Sequence, residues 1–219
     1  MTDQSPFAPE APIPADLRPV LEALARTARD LARRIARGPL AGQMGARVGA
    51  NSDGDAQQAL DVIADHVFAS ALRGTGIRWY ASEERDSVEE LDPAGPLALA
   101  IDPLDGSSNI ETNVSIGTIF SLRAAMDTGA ETFLRPGHDQ IAAGYVIYGP
   151  QVMLMLTVGA GLHSYILDPD TGRFTLLDPA VTVAEDSSEF AINASNYRHW
   201  AKPVRAYIDD CLAGADGPR

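Results

Sequence analysis

Residues Asp102-Pro103-Leu104-Asp105-Gly106-Ser107-Ser108-Asn109 place two carboxylates three residues apart, directly ahead of a Gly-Ser-Ser stretch. Carboxylate oxygens hold hard cations, and a concave run of accessible backbone N–H groups holds phosphate. Both halves of a metal-assisted phosphate site therefore fit within one short stretch of chain. Taken alone, Asp-Gly and serine clusters also mark ordinary tight turns. The surrounding elements have to decide between the two.

Three further groups of residues could join this chemistry. Ser82-Glu83-Glu84 follows the strand-like run Ile77-Arg78-Trp79-Tyr80, and adjacent glutamates at a strand end point in different directions. One suits a metal and the other the orientation of water. Asp61 shares a helical stripe with Phe68 and Leu72, so it borders packed surface, a setting suited to proton handling. Asn193 closes the strand-like run Phe190-Ala191-Ile192 and could donate to a ligand oxygen. Asn51-x-Asp53-x-Asp55 is not a calcium loop, because Ala56 and Val62 stand where glycine and glutamate are required.

The elements that must position these groups read as layered α and β, with helices packed on a mixed, largely antiparallel sheet. Leu97-Ala98-Leu99-Ala100-Ile101 is a short apolar run that makes a buried strand and delivers Asp102 and Asp105 to its C-terminal end. Leucines at three-, four- and seven-residue spacings predict a helix over 16–36, with Arg26, Arg29, Arg33, Arg34 and Arg37 on a solvated face. A Gly-rich connection over 38–54 precedes a second helix over 55–73. Strands are predicted over 115–125, 141–148, 152–158, 162–167, 174–177 and 190–193, and a last helix over 203–212. Asp86, Glu89, Glu90 and Asp92 read as a solvated polar loop. Residues 1–14, with Pro6, Pro9, Pro12 and Pro14, read as a mobile arm. The main α/β domain is assigned to 15–185, and 186–219 to the start of a second half.

Composition bounds the function. A formal net charge of −13 over 219 residues argues against a general nucleic-acid or anionic-membrane surface. An acidic chain still takes an anionic substrate when divalent metal mediates. No apolar run is long enough to span a membrane, and no signal peptide is evident. The single cysteine, Cys211, fits a reducing cytoplasm. His66, His138, His163 and His199 are scattered, a pattern unlike a zinc site.

The combination of Gly54-Asp55, Leu60-Asp61, Ser82-Glu83-Glu84, Asp102 to Asn109, and Ile192-Asn193-Ala194-Ser195-Asn196-Tyr197-Arg198-His199-Trp200 resembles the class 1 fructose-1,6-bisphosphatases of bacteria. The Asp-Pro-Leu-Asp-Gly element alone would indicate only the wider family of magnesium-dependent, lithium-sensitive sugar and inositol phosphatases. The resemblance implies a sugar-phosphatase fold whose second α/β half is mostly missing. It implies metal binding by Glu83, Asp102, Asp105 and the carbonyl of Leu104. Asp105, Gly106, Ser107 and Ser108 would hold the 1-phosphate, and Asn193 would contact substrate. Asp55, Asp61 and Glu84 would orient and deprotonate the attacking water. The implied cofactor is Mg2+, as two or more ions that Mn2+ can replace. The implied partner is a sugar bisphosphate, and the implied assembly is a cytoplasmic homotetramer with 38–54 as its active-site loop.

The implied reaction is hydrolysis of fructose 1,6-bisphosphate to fructose 6-phosphate and phosphate, as in gluconeogenesis or the Calvin cycle. Sedoheptulose 1,7-bisphosphate is an alternative or second substrate, and an inositol-phosphatase activity fits the Asn193 segment less well. The family continues past the position of Arg219 with residues that contact the sugar and 6-phosphate, and with a further metal-binding glutamate. The resemblance therefore implies a C-terminally truncated member. A metal-binding or oligomer-forming fragment without turnover is the competing reading.

Overall fold

Leucine and alanine spacing along the first helix builds a mostly apolar buried face, broken by Thr27, that packs against the second helix and the sheet. The computed structural model describes residues 4–41, 47–50, 56–214 and 217. It divides into two units, Met1–Thr182 and Val183–Arg219.

In the first unit, helix α1 (Arg18–Ala36) is followed by a small antiparallel pair, β1 (Arg47–Ala50) and β2 (Ala56–Gln58), and by helix α2 (Ala59–Leu72). Pro19 opens α1 in the first turn, where no intrahelical N–H is lost. Helix α2 begins at Ala59 and not at Asp55, because Ala56–Gln58 pair with β1 instead of joining the helix. Most of the Gly-rich connection over 38–54, including Asp53, and the neighbouring Asp55 lie outside the described residues.

The main sheet comprises β3 (Ile77–Ser82), β4 (Glu89–Glu90), β5 (Leu97–Asp105), β6 (Ile116–Ala124), β7 (Ala142–Tyr148), β8 (Val152–Thr157), β9 (His163–Asp168) and β10 (Arg173–Asp178). A short helix, α3 (Gly129–Phe133), lies between β6 and β7. The strand order is β10-β9-β8-β7-β6-β5-β3-β4. Among the described strands of this sheet, β3 and β5 run parallel, while β5 through β10 form an antiparallel meander.

One face of the sheet joins α1 and α2 in the core, through Leu21, Leu24, Leu60, Phe68, Leu72, Leu99, Leu122, Val146 and Leu156. The other face carries Ile119, Tyr145 and Ile147, all exposed. The run Met153-Leu154-Met155-Leu156 divides between the two: Leu154 and Leu156 are buried, while Met153 and Met155 are half-buried, as the alternation of a strand requires.

Three expectations need correction. The described part of the N-terminal arm is packed, not mobile. Pro6 accepts from the Phe174 amide at 2.7 Å and Ala8 donates back to Phe174 at 3.0 Å, with Phe7 2% exposed against Tyr165 and Phe174. Pro6 lends its carbonyl to this edge contact, and Phe7 and Ile13 supply the apolar groups that composition alone does not reveal. Glu89 and Glu90 are not loop residues. They pair with β3 as a two-residue strand, and Glu89 forms ion pairs with Arg73 and Arg85. In the second unit, Phe190–Asn193 is not a strand, since among the described residues no neighbouring strand supplies it with a ladder. Instead Asn193 caps a 3-10 turn over Ala194–His199, accepting from the Ser195 amide at 3.1 Å.

Helix α4 (Lys202–Leu212) completes that unit. Tyr197 stacks edge-on against Trp200 and donates to Asp209 at 2.8 Å.

Candidate active site

The bend that re-aims Asp105 comes from the pairing of β5 with β6. Asp102 lies opposite Ile119 and Asp105 opposite Gly117, so three steps on β5 match two on β6. In a regular strand, residues three apart face opposite sides of the sheet. The extra residue of a bulge cancels one alternation and brings both carboxylates to one face. Pro103, with no N–H to give, occupies the interruption. The bulge is fastened from beneath: Thr118 Oγ1 donates to the Pro103 carbonyl at 2.8 Å. With its single proton committed there, Thr118 accepts from the Tyr148 hydroxyl, also at 2.8 Å. Burial holds the Tyr148 phenol well above its ordinary range, so it remains a donor.

Glu83 is placed beside Asp102 by the backbone. Its amide donates to the Ile101 carbonyl at 3.1 Å, extending the parallel β3–β5 pairing one residue past Ser82. The two carboxyl groups are hydrogen-bonded to each other, and burial together with Glu83 pushes Asp102 up to about 8. The nearby Asp105 charge acts in the same direction, while the Leu104 amide, donating to Asp102 Oδ1 at 3.0 Å, opposes it. Two carboxylates in contact must share a proton or a cation. A divalent ion in place of that proton satisfies both charges, so the donor set fits a hard metal. Among the described residues, no group of three or more His, Cys, Asp or Glu is drawn together as a metal cage. Mg2+ needs only one or two carboxylates and completes its shell with water and phosphate oxygens.

The adjacent glutamates do separate. Glu83 lines a groove of about 610 Å³ on the open sheet face with Asp102, Ser121, Gly144 and Tyr145. Glu84, whose amide donates to Ser82 Oγ at 3.2 Å, lines a different cleft of about 600 Å³ with Asp65, His66, Arg73 and Arg85.

Beyond β5 the chain turns at Gly106, whose φ of 75° is left-handed and strained for any other residue. A 3-10 helix over Ser107–Thr112 starts there, closed by the Asn109 amide on the Gly106 carbonyl at 2.8 Å. Ser107 Oγ donates to Asp61 Oδ2 at 3.0 Å, joining this turn to the first turn of α2. Asp61 is 2% exposed. The structure thus pairs Glu83 with Asp102 at two strand ends, with Asp105 near enough for its charge to act on Asp102, and ties Asp61 to Ser107. Asp55 lies outside the described residues, and Asn193 belongs to the other unit.

Sequence reasoning missed five residues that hold this arrangement: Thr118, Tyr148, Tyr80, Asp65 and Arg85. The last two had a signal. Asp65 is four residues after Asp61, hence on the same helix face, and Arg85 directly follows Glu84.

Comparison with solved structures defines the fold class. The chain superposes on the holo form of Leishmania major fructose-1,6-bisphosphatase with a TM-score of 0.84 at 32% identity, covering 89% of this chain and 63% of that one. The T-state form of the same enzyme gives a TM-score of 0.76 at 28% identity over 92% of this chain. Residues 7–179 match the family described as the N-terminal domain of fructose-1,6-bisphosphatase. The chain belongs to that family. It is 58% identical over 216 residues to a class 1 fructose-1,6-bisphosphatase of Cereibacter sphaeroides, covering 98% of this chain and 65% of the relative. It is 56% identical over 207 residues to that of Paracoccus denitrificans, covering 94% and 62%. The chain therefore spans a little under two thirds of the length of these relatives. Among the described residues, no helix is long and apolar enough to cross a membrane.

Proposed function

We propose that this chain supplies the metal- and phosphate-binding part of an Mg2+-dependent phosphatase that removes the 1-phosphate of fructose 1,6-bisphosphate, giving fructose 6-phosphate and phosphate. The observation that carries the reading is the bulge in β5, which turns Asp102 and Asp105 to one face beside Glu83. The names of the relatives support the substrate.

Glu83, Asp102, Asp105 and the Leu104 carbonyl hold the metal, two or more ions in the working enzyme, with Mn2+ an effective substitute. When bound, the metal neutralises the phosphate and stabilises the leaving oxygen. Asp105 to Ser108 cradle the phosphoryl group, with backbone N–H groups directed at its oxygens. Asp61, Glu84 and Asp55 orient the attacking water and take its proton. The hydroxyl of Ser107 fixes the Asp61 carboxylate for that task. Asn193 contacts substrate, the assembly is a homotetramer, and the compartment is the cytoplasm.

The test is phosphate release by the 219-residue chain from fructose 1,6-bisphosphate. Removing a group that stabilises transition-state charge costs about 10²–10³ in rate, so Asp105→Asn is expected to reduce Mg2+-dependent release by that factor. Equal release by both chains, or none that depends on metal, would overturn the reading.

A further inference from the structure

Helix α2 touches both carboxylate-bearing strand ends at successive turns. Its first contact is Asp61 with Ser107, at the end of β5. Its second is Asp65, one turn on, with Arg85, directly after Glu83 and Glu84 at the end of β3. Arg85 Nε lies 2.7 Å from Asp65 Oδ2, and the Asp65 side chain is 5% exposed. The other oxygen of Asp65 accepts from the Tyr80 hydroxyl at 2.9 Å. The Arg85 guanidinium lies over the Tyr80 ring at 5.1 Å and reaches Glu89 with its other branch. Between β3 and Arg85 the chain makes one turn, with the Arg85 amide on the Ser82 carbonyl at 3.2 Å and the Glu84 amide on Ser82 Oγ at 3.2 Å.

This is more than a salt bridge that happens to be buried. The turn over 82–85 is fixed to β5 at one end, through Glu83 N and Ile101 O. At its other end it is fixed to α2 by a planar guanidinium held by two carboxylates and an aromatic face, a geometry that Arg provides and a point charge does not. The two glutamates are suspended between these anchors. We propose that Asp65 and Arg85 are positioning residues: their ion pair sets the placement of Glu83 against Asp102, and hence the affinity of the metal site, without touching metal or substrate. This rests on the function proposed above, and its test separates the two.

The measurement is Mn2+ affinity of the full chain by electron paramagnetic resonance, with metal alone as the probe. Outer groups that orient metal ligands are worth about 10–100-fold in affinity. Asp65→Asn keeps the acceptor for Tyr80 but loses the charge, and Arg85→Met keeps the stem over Tyr80 but loses the guanidinium. Each is expected to weaken Mn2+ binding at least about tenfold, with the double variant no weaker than either single one, since both cut one strut. Phe174→Leu, in the core at the far edge strand and chosen to match the lowered melting midpoint, is expected to leave affinity unchanged. Unaltered affinity in Asp65→Asn, additive losses in the double variant, or an equal loss in Phe174→Leu would each overturn the positioning role. Asp102→Asn reports on the site itself: if it binds Mn2+ as the unmodified chain does, the proposed metal site is wrong. No binding by the unmodified chain overturns both.

Discussion

Asp102 and Asp105 face the same side of the sheet although they stand three positions apart, because Pro103-Leu104 form a bulge against Ile119 and Gly117. That relationship turns an ordinary strand end into a concentration of negative charge, and most of what can be measured on this chain depends on it.

Replacing Asp102 tests the repulsion directly. Its carboxyl sits above its ordinary value, so ionising it costs stability; the cost is absent below about pH 4 and complete above about 8. Asp102 is only half-buried, and solvent screening reduces the cost to about 1 kcal/mol. Asp102→Asn removes that cost. The metal-free variant should melt about 2–4 °C higher than the unmodified chain at pH 9 and gain no stability from added Mg2+. Calorimetry at pH 5 and pH 9, with and without the ion, reads both effects.

Gly106 is needed for its backbone angle and not for space. A Cβ there would meet Asn109 Nδ2 at 3.4 Å, ordinary contact, but φ is 75°. Gly106→Ala should therefore cost roughly 1–2 kcal/mol, read by urea denaturation, and should weaken binding of inorganic phosphate through displacement of the Ser107 turn.

Ser107→Ala removes one of the hydrogen bonds to a carboxylate that is 2% exposed. Loss of a partner from a buried acceptor costs about 1–3 kcal/mol, so the variant should unfold at lower urea. Ser107→Thr, which keeps the hydroxyl, should recover most of that loss.

The packed N-terminal segment gives an independent prediction. Phe7 lies 5.7 Å from Tyr165, centroid to centroid and edge-on. Phe7→Ala should cost about 3–5 kcal/mol, whereas the same change in a mobile arm would cost nothing measurable. Chemical denaturation distinguishes the two outcomes.

What the sequence made legible follows from what is local. Helices over 16–36 and 203–212 and the antiparallel meander were readable because apolar period and Gly-Pro punctuation are properties of adjacent residues. The clustering of Glu83 with Asp102 was readable from two strands that both end in acids. The bulge was not, since it exists only in the register between β5 and β6. Nor was the packing of Phe7, which depends on a strand more than 160 residues away. The strand expected over 190–193 followed apolar spacing correctly, yet a strand needs a neighbour, and among the described residues that stretch has none. Asp65 and Arg85 carried no reading, because each is local to a different element and their pairing exists only in the fold.

The most direct test of the central claim is anomalous diffraction from crystals of the chain soaked in Mn2+. The account predicts a peak bonded to carboxylate oxygens of both Asp102 and Asp105, at roughly 2.1 Å, with Glu83 turned to the same ion or to a second one beside it. A peak held elsewhere, with Glu83 and Asp102 still sharing their hydrogen bond, would contradict it.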